Sequence, residues 1–184
     1  EIGEDSGNSL RKDWLIECTN KKREWTKFKG DRVRETSLID ETWQREVLTQ
    51  PAAIYSVASF AKRHKAIKFF DAGDVQANGF QVVEDDEPNQ TFTESGASFM
   101  GFSASALLCS AYMKNAKYGI AFTGDGSFMM NPQALIDAVY LGLKGMIIIF
   151  DNRRMAAITG LQHAQYSKEF KTNDGVEVDY VQMA

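Results

Sequence analysis

Residues 118–152 read YGIAFTGDGSFMMNPQALIDAVYLGLKGMIIIFDN, and the order of elements within this stretch decides the fold. Tyr118 to Phe122 is a short apolar run that ends in Thr123-Gly-Asp-Gly126, the profile of a buried strand with a tight exit. Asn131 and Pro132 supply an N-cap and a first-turn proline for a helix through Leu143, which Gly145 closes. Met146 to Phe150 is continuously apolar, as in a strand buried on both faces of a parallel sheet. Strand, helix and strand joined by short loops predict an α/β chain with a doubly wound parallel sheet and right-handed crossovers.

Upstream, Phe102 to Met113 (FSASALLCSAYM) reads as a buried helix, and Ile67 to Phe70 as a strand running into Asp-Ala-Gly-Asp. Between them, residues 72–98 are rich in Gly, Asn, Asp and Gln with little periodicity. A loop so long is usually functional, and it has room for a short helix. A helix starts near Pro51, with Ile54, Val57, Ala58 and Ala61 on its buried face. Residues 1–50 differ: they carry ten Lys/Arg and eleven Asp/Glu. Leu10, Trp14, Leu15, Cys18, Lys22 and Trp25 nevertheless fall at near-helical spacing. That spacing predicts a polar N-terminal helix, capped at Ser9 and stopped at Gly30, lying across the outside of a larger body. Residues 31–50 read as a charged connector. The expected division is therefore a helical lead-in and connector over 1–50 and an α/β domain over 51–184.

Composition narrows the function. With 21 basic and 25 acidic residues the net charge is −4, which argues against a binder that grips nucleic-acid phosphates through a basic surface. No apolar run approaches the roughly 18–20 residues of a membrane span. Cys18 and Cys109 form no C-x-x-C pair, so no zinc or iron–sulfur motif is visible, and the usage suits a cytoplasmic location. The chain opens on Glu1 and has no signal-peptide pattern, which suggests a piece of a longer chain.

Ligands of parallel α/β sheets sit at the carboxyl ends of the strands. Gly124-Asp125-Gly126 follows one predicted strand and Asp151-Asn152 the next, so one crossover brings Asp125 and Asn152 to the same edge. A carboxylate and a carboxamide are hard oxygen donors suited to Mg²⁺, which completes its octahedron with phosphate oxygens. The glycines allow close backbone approach, and the N–H groups of Gly126 and Ser127 can donate to a phosphate. The pattern suits a metal-bound diphosphate.

G-D-G, 24 residues and a pair ending in Asn resembles the thiamine diphosphate (ThDP) motif of the pyruvate decarboxylase and acetolactate synthase superfamily. The resemblance extends upstream to GASFMGFSASALL and covers about residues 50–184. It implies the ThDP-binding fold, with ThDP and Mg²⁺ as cofactors. Asp125 and Asn152 would bind Mg²⁺ with the backbone carbonyl of Arg154, and Gly124, Gly126 and Ser127 would border the diphosphate. Met100 would prop the bent cofactor, and the Ser98 carbonyl would accept from its aminopyrimidine. The implied activity is that of an enzyme on 2-oxo acids, a decarboxylase or an acetolactate-synthase-like carboligase, lyase or transferase. Three departures stand out. Asp151 replaces the first Asn of the usual pair, Arg154 stands where many members have Gly, and the glutamate that activates the pyrimidine belongs to another domain. The resemblance thus implies a pyrimidine-binding domain or subunit as partner, a homo-oligomer, and no activity from this chain alone. It also implies that the chain ends before the family's last strand.

Competing readings stay open beside these. Asp125 and Asn152 could be unrelated loop residues and Met100 ordinary core packing, while residues 71–81 read equally as a loop that contacts cofactor or substrate from its strand end and as a plain structural loop. Arg153 and Arg154 read better as solvated than as substrate contacts, and His64 as structural. His163 is as well explained by a surface position as by proton transfer. Glu94, in TESG, reads as structural before it reads as a substitute catalytic acid. The run FDNRRMAAITGLQ also resembles loops of indolepyruvate–ferredoxin oxidoreductase and phosphonopyruvate decarboxylase. A nucleotide-binding module would need G-x-G-x-x-G or a P-loop lysine, and neither occurs. A structural domain that kept the fold and lost the chemistry is the remaining alternative.

Overall fold

The computed structural model describes residues 4–41, 43–115, 117–173 and 175–184, with side chains from Leu10 onward. The chain forms two compact units, Glu1–Ala52 and Ala53–Ala184.

In the first unit, α1 spans Glu4–Arg34. The helix runs through both expected boundaries: Ser9 and Gly30 lie inside it. A single glycine in a helix interior costs only about 1 kcal/mol, too little to stop thirty-one residues. The stripe expected to be apolar is there, but Leu10 (71% exposed), Trp14 (63%) and Trp25 (49%) face outward. The expected connector contains a hairpin instead, β1 (Ser37–Asp40) paired antiparallel with β2 (Arg45–Leu48). Each strand holds a single apolar pair, Leu38-Ile39 and Val47-Leu48, among charged and polar neighbours. The Trp43 N–H donates to Asp40 Oδ1 at 2.9 Å within the turn, and Arg45 lies over the Trp43 ring.

The second unit is a four-stranded parallel sheet in the order β4-β3-β5-β6. Its strands are β3 (Ile67–Phe70), β4 (Thr91–Thr93), β5 (Gly119–Gly124) and β6 (Gly145–Phe150). The chain steps outward from β3 to β4, then returns to the other side of β3 for β5 and β6. The reversal lies between β3 and β5, the kind of position at which parallel α/β sheets place their ligands. Residues 72–98 are more ordered than their composition implies. They hold α3 (Asp74–Val82) as well as β4. Beyond them, α4 (Phe102–Leu107) tightens into a 3₁₀ turn over Leu108–Tyr112.

Core packing follows the strand alternation. On one face Ile67, Phe69 and Ala121 pack with Leu107. On the other, Phe70 and Phe122 stack at 4.4 Å between centroids. Gly79 of α3 lies so close to the Phe70 ring that a Cβ there would come within 2.5 Å of it. A second cluster joins Ala104, Phe128 and Ala134, with Ile149 and Tyr180 against it. α2 (Gln50–Arg63) contributes Ile54 and Ala61, both fully buried.

Two details differ from the sequence reading. α6 is shorter than expected, Ala134–Tyr140, and Gly142 (φ +58°) follows its end, while Gly145 opens β6. β6 is half-buried along its length, because it is the outermost strand of the described sheet and lacks a neighbour on one side. The short helices α5 (Asp125–Phe128) and α8 (Tyr180–Met183) and the longer α7 (Ala156–Tyr166) complete the unit. Asp179 caps α8, accepting from the N–H groups of Val181 and Gln182. No described helix is long and apolar enough to cross a membrane.

Candidate functional site

The sheet register places the motif halves side by side. Gly124 pairs with Phe150, so Asp125 and Asp151 are the next residues on adjacent strands. Asp125 is the first residue of α5, where N–H groups have no intrahelical partner. Desolvation pushes its carboxyl above the usual aspartate range, and the charge of Asp151 pushes it further. The backbone N–H groups of Gly126, Arg153 and Asp125 itself only partly offset this. The Arg153 N–H thereby ties the loop after β6 to the loop after β5. Arg153 takes the left-handed conformation (φ +53°), and its guanidinium pairs with Glu177 at 3.0 Å and with Asp151 at 3.6 Å. Asn152 Oδ1 accepts from the Arg154 N–H at 3.0 Å, folding 152–154 into a turn. Asp151 Oδ1 is buried and has no hydrogen-bond partner.

The stretch before α4 closes over the same turn. A Cβ on Gly126 would meet Met100 Cε at 3.2 Å, so the methionine lies on the motif and not in either apolar cluster. Gly101 has φ +93°, and a Cβ there would meet Met130 Cβ at 3.0 Å. Only glycine combines that φ with that approach. Ser98 also has positive φ (+51°) and is exposed, and Ser127 is buried. Around Gly124 the reverse holds: nothing lies within 4 Å of a Cβ built there. The structure therefore brings Met100, Gly124, Asp125, Gly126 and Ser127 to one place, beside the 151–154 turn.

Glu94 turns back on its own loop. Its carboxylate accepts from the N–H groups of Gly96 at 2.6 Å, Ala97 at 3.0 Å and Ser98 at 2.5 Å. Desolvation pushes its pKa up, but these bonds and that of Phe99 outweigh it and hold the carboxyl below the usual range. A group so held is a poor proton donor. His163 lies on α7 with Nε2 at 3.4 Å from Glu169, and His64 packs against the Phe60 ring.

The sequence reading took Asp71 only as the first residue of the 71–81 loop and gave it no role of its own. This carboxylate is fully buried at the end of β3 and collects donors from Ala72, from Gly101 and Ser103 at the start of α4, and from Thr123 of β5. The available signal was a charged residue directly after the apolar run IKFF.

The donor set fits a hard divalent cation. Two carboxylates converge without full compensation, one oxygen is buried and unpaired, and a carboxamide stands next to them. No group of three or more His, Cys, Asp or Glu among the described residues could hold a metal ion by itself, so ligand oxygens would have to complete the shell. The open space at Gly124, next to the first-turn N–H groups of α5, suits a phosphate.

The family model "Thiamine pyrophosphate enzyme, C-terminal TPP binding domain" matches residues 71–184. A 3D-(3,5/4)-trihydroxycyclohexane-1,2-dione hydrolase from Lacticaseibacillus casei is 37% identical over 118 residues, 61% of this chain and 18% of that protein. The enzyme of the same name from Halalkalibacterium halodurans is 27% identical over 201 residues, covering 100% of this chain and 31% of its own length. The chain thus spans less than a third of either relative. Among solved structures, benzoylformate decarboxylase from Polynucleobacter necessarius superposes with a TM-score of 0.65 at 16% identity, over 74% of this chain and 26% of that one.

Proposed function

The chain belongs to the family of thiamine pyrophosphate enzyme C-terminal TPP-binding domains, and from that premise we propose that it holds the Mg²⁺–diphosphate end of ThDP at the carboxyl edge of β5 and β6. The observation that carries the reading is the pairing of Asp125 with the Asp151–Arg154 turn, where a buried carboxylate oxygen has no partner. In this reading Asp125, Asn152 and the Arg154 carbonyl hold the metal. The backbone of Gly124, Gly126 and Ser127 receives the diphosphate, Met100 supports the cofactor from the α4 side, and the Ser98 carbonyl faces the aminopyrimidine.

When bound, ThDP supplies a carbanion that adds to a carbonyl and accepts the electron pair of the bond that breaks. The chain's own residues bind, orient and exclude water: Met100 covers Gly126, and Phe128, at the end of α5, is buried in the apolar cluster with Ala104 and Ala134. Glu94 serves its own loop, so the acid that acts on the pyrimidine comes from a partner domain or subunit. The chain alone is therefore inactive. For substrate class, a 2-oxo acid and a cyclic 1,2-dione share a ketone bonded directly to a second carbonyl carbon. A vicinal dicarbonyl compound cleaved at that bond accommodates both the decarboxylase-like motif and the hydrolase named among the relatives.

Calorimetric titration with ThDP at fixed Mg²⁺ tests the site. Asp125→Ala removes the charged ligand from a surface turn that tolerates alanine, and its binding heat is expected to vanish. A variant that binds as tightly as the parent would sink the assignment.

A further inference from the structure

Asp71 connects the two halves of the site from below. Its Oδ1 accepts the N–H groups of Gly101 at 2.9 Å and Ala72 at 3.0 Å. Its Oδ2 accepts the Ser103 N–H at 3.2 Å, the Ser103 hydroxyl at 2.9 Å and the Thr123 hydroxyl at 3.0 Å. The carboxylate directly follows β3, next to β5, where the chain reverses direction across the sheet. Gly101 directly follows Met100, Ser103 lies in the first turn of α4, and Thr123 stands two residues before Asp125. One side chain thus holds the methionine stretch and the Gly124–Ser127 turn at a fixed separation. Both oxygens face backbone N–H groups, so an amide in either orientation would set its own NH₂ against a donor.

We infer that Asp71 is a positioning residue of the cofactor site: it locks Met100–Gly101 onto the Asp125–Ser127 turn and thereby sets the affinity for ThDP. The inference rests on the functional reading above. Bound together, these loops form the cradle before the ligand arrives, and ordering them during binding would weaken it.

The test compares Asp71→Asn with Ile54→Ala, a control that deletes buried packing on α2 and makes none of the Asp71 hydrogen bonds. On the whole chain, hydrogen exchange is followed over residues 98–107 and 122–131, with 145–150 as reference. ThDP affinity is measured by calorimetry at saturating Mg²⁺. Asp71→Asn should speed exchange in the first two segments and leave the third unchanged, with at least a tenfold loss of affinity. Ile54→Ala should keep affinity within twofold. Ser103→Ala, which leaves every backbone donor intact, should show the same pattern with a loss of a few fold, and it decides the matter if Asp71→Asn does not fold. Parent-like exchange in those two segments, or an affinity loss no greater than the control's, overturns the inference. A parent that binds no ThDP overturns the functional reading instead, and the exchange pattern then decides on its own whether Asp71 locks the loops.

Discussion

Two acidic sites on the same sheet edge are treated in opposite ways. At the end of β3, Asp71 is fully buried and collects five donors. At the ends of β5 and β6, Asp125 and Asp151 face one another, and one oxygen of Asp151 has no partner although it is buried. A folded chain satisfies its buried polar groups almost everywhere, because each orphan costs free energy. The difference therefore separates a carboxylate that builds the fold from carboxylates left in need of a ligand.

The comparison is most severely tested by deletion. Asp71→Ala leaves the Ala72, Gly101 and Ser103 N–H groups and the Ser103 hydroxyl without this acceptor, while the Thr123 hydroxyl keeps the Gly124 carbonyl. At about 1–3 kcal/mol for each unsatisfied buried group, with water relieving some, the loss should be about 3–5 kcal/mol in urea unfolding. A change below about 1 kcal/mol would remove Asp71 from the structural side of the comparison.

At the other site the expected sign is reversed. Asp125→Asn removes a charge that burial and Asp151 both disfavour, so without cation at neutral pH its melting temperature should equal or slightly exceed the parent's. With Mg²⁺ and ThDP at about a hundred times Kd, the parent should gain about 2.7 kcal/mol and the variant nothing. Destabilisation of the cation-free variant would place Asp125 beside Asp71 as a fold-building group.

The smallest effect is in the pH dependence, where Asp125 and Glu94 have opposite slopes. The carboxyl of Asp125 is raised, so the folded chain binds that proton more tightly than the unfolded one. Its contribution favours the fold at acid pH and is lost as pH rises from the ordinary aspartate value through the raised one. Glu94 is lowered, so its contribution is present above the ordinary glutamate value and is lost as pH falls through the lowered one. Urea midpoints between about pH 3 and 7 should therefore lose their acid-side decline in part in Glu94→Gln, and their rise toward acid in Asp125→Asn. Identical pH profiles for parent and both variants would show that neither shift operates.

The strands Ile67–Phe70, Gly119–Gly124 and Gly145–Phe150 were legible nearly to the residue, and so were the motif halves at two of their ends. The hairpin at 37–48 was not, because its only apolar signal is two short pairs, Leu38-Ile39 and Val47-Leu48, among the ten basic and eleven acidic residues of the first fifty. Nor was β4, three residues long, which has strand form only because Lys68, Phe69 and Phe70 offer it a parallel edge.

What the sequence determined by itself is whatever depends on near neighbours. The apolar runs, the glycine turns and the spacing from Asp125 to Asn152 specify strand, helix and strand, and with them the sheet edge that Asp125 and Asn152 share. The tertiary structure alone decided which carboxylate is satisfied. The Asp71 partners at Gly101, Ser103 and Thr123 lie 30, 32 and 52 positions along the chain, and no local pattern announces them. They meet because β5 returns to lie beside β3, and a buried carboxylate becomes tolerable only where such a return delivers its donors.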